Sequence, residues 1–277
     1  MKRYKITTFS INTSRSILQD SRQGPIFDKL KEDIKNEIVA QFGSFNATEK
    51  MERYLALKPP VLSVVDEHTY LQRDIINAYI AGNFYPALTG ACCLGERIFN
   101  TIIAKLKNDF KSSAWYKEVY DKDSTDKWDQ AIKILHDWGI IDEGLKESYY
   151  RLMVLRNDSV HYQKKDQDAS AMSFESISIV NEIIIKLFAL DQNRKNILLY
   201  FDVPGEILIK KSAENDPLVR AFYIPCSTYV GPFYRIEPLN ATNRHRLIDL
   251  QYEDKEISDD EFVKLRNEYT NRKESKI

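Results

Sequence analysis

The sequence predicts a mainly α protein: a helical bundle followed by a small C-terminal antiparallel β segment and a terminal helix. Three observations carry that class. Between residues 67 and 190, five stretches repeat apolar side chains at helical spacing. After Asn196 that period gives way to short β-branched and aromatic runs, broken by Pro204-Gly205, Asn215-Asp216-Pro217 and Gly231-Pro232. The composition, 43% hydrophobic and 29% charged with nine Gly and nine Pro in 277 residues, is that of an ordinary globular chain and excludes collagen-like, Pro-rich and disordered classes.

Residues 1–66 read as an N-terminal extension. Its first 24 residues are polar and basic, with a short strand at 4–9, and Pro25 opens a helix whose Phe27, Leu30, Ile34 and Ile38 recur until Gly43. The bundle, 67–191, follows. Its first helix, 67–83, carries Leu71, Ile75, Ala78 and Tyr79; its second, 86–107, is the most strongly patterned, with Leu88, Cys92, Phe99 and Ile103 in one stripe. Trp128, Ile132, Leu135 and Trp138 trace a third helix that Gly139 stops, and Leu145, Tyr149 and Leu152 a fourth that starts near Glu143. The fifth, 174–190, is apolar around much of its circumference, which predicts a central position. The runs at 197–203, 207–209, 218–224 and 228–236 predict the strands of a β segment at 192–238. Residues 239–277 form a charged tail with a terminal helix, capped by Ser258 with Glu261.

The 40 basic and 41 acidic residues balance, which disfavours a nonspecific coat for nucleic acid. Cys92, Cys93 and Cys226 are an odd, partly adjacent set and read as reduced thiols of a cytoplasmic protein. The N-terminus lacks an apolar signal region and no run of eighteen apolar residues occurs, so no membrane partner is expected. His68, His136, His161 and His245 are scattered and no C-x-x-C pair exists, so neither a metal nor another cofactor is expected. No calcium loop, phosphate-cradling glycine loop or G-x-S-x-G elbow is present, since Gly90 and Gly95 fall inside a helix pattern.

One segment, YYRLMVLRNDSVHYQKK at 149–165, concentrates polar chemistry on an apolar helix. Arg156 stands four residues after Leu152 and seven after Tyr149, on the otherwise apolar face, while Asn157 and His161 share a neighbouring one. Glu96 interrupts the stripe of the second bundle helix and calls for a cationic partner, either Arg156 or Arg97. The spacing by itself favours a structural Glu–Arg pair with a helix-terminal His over a site of guanidinium, carboxamide and imidazole.

Arg156-Asn157-Asp158-Ser159-Val160-His161 resembles the R-x4-6-H signature of the HEPN superfamily. The A-x-x-x-G-E-R-x-F pattern from Ala91 to Phe99 on an earlier helix is also similar to that family, and the resemblance covers about residues 67–191. It implies a HEPN-like helical bundle and a metal-independent endoribonuclease of toxin, abortive-infection or antiphage type. It also implies RNA as substrate, a homodimer with both motifs at one cleft and, in some branches, an antitoxin or other regulatory partner. Arg156 and His161 would be catalytic, Asn157 and Glu96 supporting. The alternative within the same family is a non-catalytic module that binds nucleotide, RNA or a partner protein as a dimeric scaffold. One branch carries a tyrosine two residues after the motif histidine where this chain has Gln163, so control through that tyrosine is not expected.

Two further features invite two readings each. Phe222, Tyr223, Tyr229, Phe233 and Tyr234 in the β segment either stack bases or fill a small core. The segment 247–269 resembles short C-terminal oligomerisation modules, and a solvated terminal helix accounts for it as well. Local positive charge at Arg156, compensated by acid elsewhere, is the distribution that an RNA-cutting site requires of a neutral chain.

Overall fold

A computed structural model describes residues 1–6, 21, 23–58, 63–160, 168–191, 194–201, 205–238, 245–250, 253 and 255–274. The chain divides into two compact units, one of residues 10–189 and one of residues 1–9 with 190–277.

The first unit is helical. It comprises α1 (Pro25–Phe42), α2 (Ala47–Ala56), α3 (Asp66–Ala81), α4 (Phe84–Leu106), a single turn α5 (Tyr116–Val119), α6 (Trp128–Asp137), α7 (Glu143–Val160) and α8 (Ala169–Phe188). Asp168 caps α8, its carboxylate accepting from the Ser170 and Ala171 N–H groups. The centre of the bundle is α4, not the fifth predicted helix. Ala87, Leu88, Ala91, Cys92, Leu94, Ile98, Phe99, Ile102, Ile103 and Leu106 of α4 are all buried, and it packs against α3, α6, α7 and α8. α8 buries Ser173, Ile177, Val180, Ile183, Ile184 and Leu187 and packs against three helices, α3, α4 and α7, where α4 packs against four. α2 has no counterpart in the sequence-based expectation, although Ala47, Met51, Tyr54 and Leu55 recur at helical spacing; the stripe is short and none of its residues is fully buried.

Two glycines set helix spacing. A Cβ on Gly90 would lie 3.0 Å from Ile75 Cγ1 of α3, and one on Gly95 only 2.4 Å from Leu152 Cδ2 of α7. Leu152 is fully buried, so its methyl has no free space to enter. Gly95→Ala gains about 1 kcal/mol of helix propensity but overpacks at a cost of about 1–3 kcal/mol. The expected net result is a lower urea midpoint, and Gly95→Ala/Leu152→Val should recover part of it. An unchanged or raised midpoint in the single variant would show that the overpacking costs no more than the helix propensity returns.

The second unit is a β structure completed by the N-terminus. β1 (Arg3–Ile6), β2 (Leu198–Tyr200), β3 (Ile207–Ile209) and β4 (Ser227–Val230) form an antiparallel sheet in the order β2-β3-β1-β4. Lys5 is opposite Leu208 on one side and Thr228 on the other. The first strand is therefore part of this sheet and not of an N-terminal extension. β5 (Arg235–Pro238) and β6 (His245–Ile248) form a separate hairpin, the latter within the segment expected to be a charged tail. The predicted strand at 218–224 is helical instead: Val219–Tyr223 form a π-helical turn, started by Asp216, whose Oδ1 accepts the Val219 N–H at 3.0 Å.

The terminal helix α9 (Asp259–Glu274) is capped as expected, with the Glu261 N–H donating to Ser258 Oγ at 3.1 Å. It is not simply solvated: Phe262 is fully buried in a cluster with Leu208, Val230, Tyr234 and Ile257. Phe222, Tyr223 and Tyr234 are core residues, and of the five aromatics offered for base stacking only Tyr229 is well exposed. Among the described residues, no helix is long and apolar enough to cross a membrane.

Candidate active site

α7 begins at Asp142, whose Oδ1 accepts the Leu145 N–H at 2.8 Å. Leu145, Tyr149, Leu152 and Leu155 then face the bundle and are buried to 2% exposure or less. Arg151, on the outer side, is clamped to Glu175 of α8 by two bonds of 2.6 and 2.7 Å, which fixes the helix one turn before the motif. That register brings Arg156 to a half-buried position beside α4. Burial pushes the Cys92 thiol up to about 12 and the neighbouring Cys93 adds to this, while the positive charge of Arg156 acts in the opposite sense.

Arg156 opens onto a cleft of about 370 Å³ lined also by Asp126, Lys127, Trp128, Asp129, Gln130, Met153 and Asn157. Its Nη1 donates to Asn157 Oδ1 at 3.4 Å, and its carbonyl accepts from Ser159 Oγ at 2.7 Å. Among the described residues no carboxylate pairs with the Arg156 guanidinium.

Glu96 is held by a group the sequence did not suggest. Trp128 Nε1 donates to Glu96 Oε2 at 3.0 Å, and the Trp128 ring stands edge-on to Phe99 with centroids 5.0 Å apart. The expected partner Arg97 pairs instead with Glu67 of α3, and Arg156 makes no ion pair with Glu96 among the described residues. A neutral indole donor satisfies the carboxylate because Glu96 is only half-buried and stays open to a groove along α3 and α4. Glu96 thus reaches the cleft at one remove, by fixing the ring that forms its wall.

His161 lies outside the described residues. Six lining residues were not placed at the site from the sequence: Asp126, Lys127, Trp128, Asp129, Gln130 and Met153. Asp129 accepts from Lys133 at 2.7 Å and from the Tyr150 hydroxyl at 2.9 Å, and these bonds hold its carboxyl below the usual carboxylate range. The only signal available was a tryptophan flanked by charges at a helix start. The described lining carries Lys127 and Arg156 against Asp126 and Asp129, so it is balanced rather than positive as expected. Among the described residues no group of three or more His, Cys, Asp or Glu side chains is arranged to hold a metal ion.

No protein-family model, curated protein or solved structure matches the chain. A functional reading rests on the residues themselves.

Proposed function

We propose that the chain is a HEPN-type, metal-independent endoribonuclease, cytoplasmic and dimeric, of the toxin or antiphage kind, in which Arg156 and His161 carry the chemistry. The observation that supports this best is the half-buried Arg156 guanidinium, free of any carboxylate among the described residues and facing a cleft five residues before the motif histidine. Attack of a ribose 2′-hydroxyl on the adjacent phosphodiester needs a proton carrier that works near neutral pH and a fixed cation for the developing phosphorane charge. Histidine suits the first task and arginine the second, with a planar fork that spans two phosphate oxygens. Asn157 steers the guanidinium through its Oδ1, and Glu96 supports by holding Trp128. A homodimer would set two copies of Arg156 at one cleft, and an antitoxin or other regulatory protein would restrain it.

Asp126 and Asp129, which cancel Lys127 and Arg156 at the described lining, favour a second reading: a non-catalytic HEPN module that binds nucleotide, RNA or a partner protein. Cleavage of total RNA in the presence of EDTA separates the two. The nuclease predicts cutting that falls by roughly 10²-fold or more in Arg156→Ala and in His161→Ala, with helical content and oligomeric state unchanged. Cleavage retained in both variants overturns it, and absence of cutting by wild-type protein that still binds RNA or a partner establishes the module.

A further inference from the structure

A second cavity, of about 270 Å³, lies in the helical unit among α3, α4, α8 and the chain just after α2. Its depth is graded by exposure. Ala56, Lys58 and Ser178 at its mouth are exposed, whereas Gln72, Ala91, Val180 and Asn181 at its floor are buried. Leu57, Ile75, Ile177 and Val180 make the walls apolar. The two amides are therefore at the wrong end for solvation: Gln72 is 7% and Asn181 8% exposed, at the bottom of a hydrocarbon-lined space.

Gln72 Nε2 donates to Asn181 Oδ1 at 3.4 Å, a long bond and the one hydrogen bond that either side chain makes among the described residues. Two carboxamides offer four N–H donors and two carbonyl oxygens, and one shared bond uses one of each. Whichever amide donates, a carbonyl and amide N–H groups stay unused at the floor. These free edges open onto the cavity, where a guest that brings the complementary edge can take the place of water on them. The lining holds one charged group, Lys58, and it is at the mouth. An ionised guest would have to leave its charge in an apolar interior. Apolar cavities of comparable size accept single aromatic rings.

We propose that this cavity binds a small, uncharged, ring-containing molecule that carries a carboxamide or lactam edge and enters with that edge pointing at Gln72 and Asn181. The site is separate from the Arg156 cleft and does not depend on RNA cleavage.

Benzamide is a suitable probe, with toluene and benzoate for comparison, titrated into the full chain and followed by saturation-transfer NMR. Benzamide should bind at least about tenfold tighter than toluene, because a site built for a polar edge rejects the analogue that lacks it, and benzoate more weakly still. Nuclear Overhauser contacts from the bound ring to the Ala91 and Val180 methyls should locate it. Gln72→Leu should remove the preference for benzamide over toluene, and Ala91→Leu should exclude all three by filling the floor. Where either variant does not fold, the ranking and contacts in wild-type protein decide. No benzamide binding, equal affinity for the three probes, or contacts elsewhere would overturn the proposal.

Discussion

Glu206→Gln is expected to lower the stability of the β unit by about 3–5 kcal/mol, the usual cost of leaving a buried charge without its partner. Glu206 and Arg266 are each 8% exposed in their side chains and pair through both carboxylate oxygens, one bond measuring 3.1 Å. Arg266 also donates to the carbonyls of Pro232 and Tyr234, and its Cζ lies over the Tyr234 ring, 3.8 Å from the centroid. Lys5 is close by, with Nζ 3.1 Å from the Gly205 carbonyl. Burial lowers its pKa below the usual lysine range, the Glu206 charge opposes that and the Arg266 charge adds to it. One carboxylate thus compensates two buried cations, and the neutral amide leaves both. Arg156→Ala should cost far less, because that guanidinium has no carboxylate partner among the described residues to orphan. The unit needs its own reporter, since Trp115, Trp128 and Trp138 all fall in residues 10–189. Hydrogen exchange of the β1 and β4 amides supplies it: Glu206→Gln should accelerate them, and Glu206→Leu/Arg266→Met should recover part of the protection, Lys5 being still without its carboxylate. Unchanged exchange in Glu206→Gln would mean that the pair contributes nothing net.

How much of this was legible depended on whether a residue's partner was local. α3, α4, α6, α7 and α8 announce themselves because each buries one stripe, and the stripe is written at helical spacing. α2 carries such a stripe too, in Ala47, Met51, Tyr54 and Leu55, but over ten residues inside a polar stretch it was passed over. At 218–224 the composition pointed to a strand, yet Leu218, Val219, Phe222 and Tyr223 are buried at helical intervals, and Asp216-Pro217 is a cap followed by a first-turn proline. There the spacing was right and the residue types misled. A strand at 4–9 was read, but the place of β1 in the sheet was obscured because its buried residues include Arg3 and Lys5, whose charges meet Asp259 at 2.8 Å and Glu206 only after the C-terminal segments return. At the site, Arg156 was readable because it breaks an apolar face. The Trp128 indole that satisfies Glu96 comes from 32 residues away, and Arg97 was diverted to Glu67 of α3. Neither pairing leaves a trace in local spacing.

The helical unit is expected to weaken by about 3 kcal/mol as pH falls from 6.5 to 4, through one histidine. His68, in the first turn of α3, is 4% exposed, sets its ring edge against Phe188 at 4.8 Å, and places Nδ1 3.4 Å from Ser63 Oγ. Burial lowers its pKa from 6.5 to about 4, and the positive charge of Arg97 adds to the shift. The unfolded chain therefore takes up a proton below pH 6.5 that the folded chain refuses until about pH 4. Stability is full above 6.5, falls across that window with a limiting slope of about 1.4 kcal/mol per pH unit, and loses nothing further to this group below 4. Carboxylates titrate in the lower part of the same range, so the informative quantity is a difference. Urea midpoints followed by tryptophan emission, which reports residues 10–189, should drop more steeply with falling pH in wild-type protein than in His68→Gln. Arg97→Gln should give an intermediate total loss over a narrower pH window, since it removes the repelling charge and leaves the burial. Parallel profiles for wild type and His68→Gln would place the loss in the carboxylates and take the histidine out of the account.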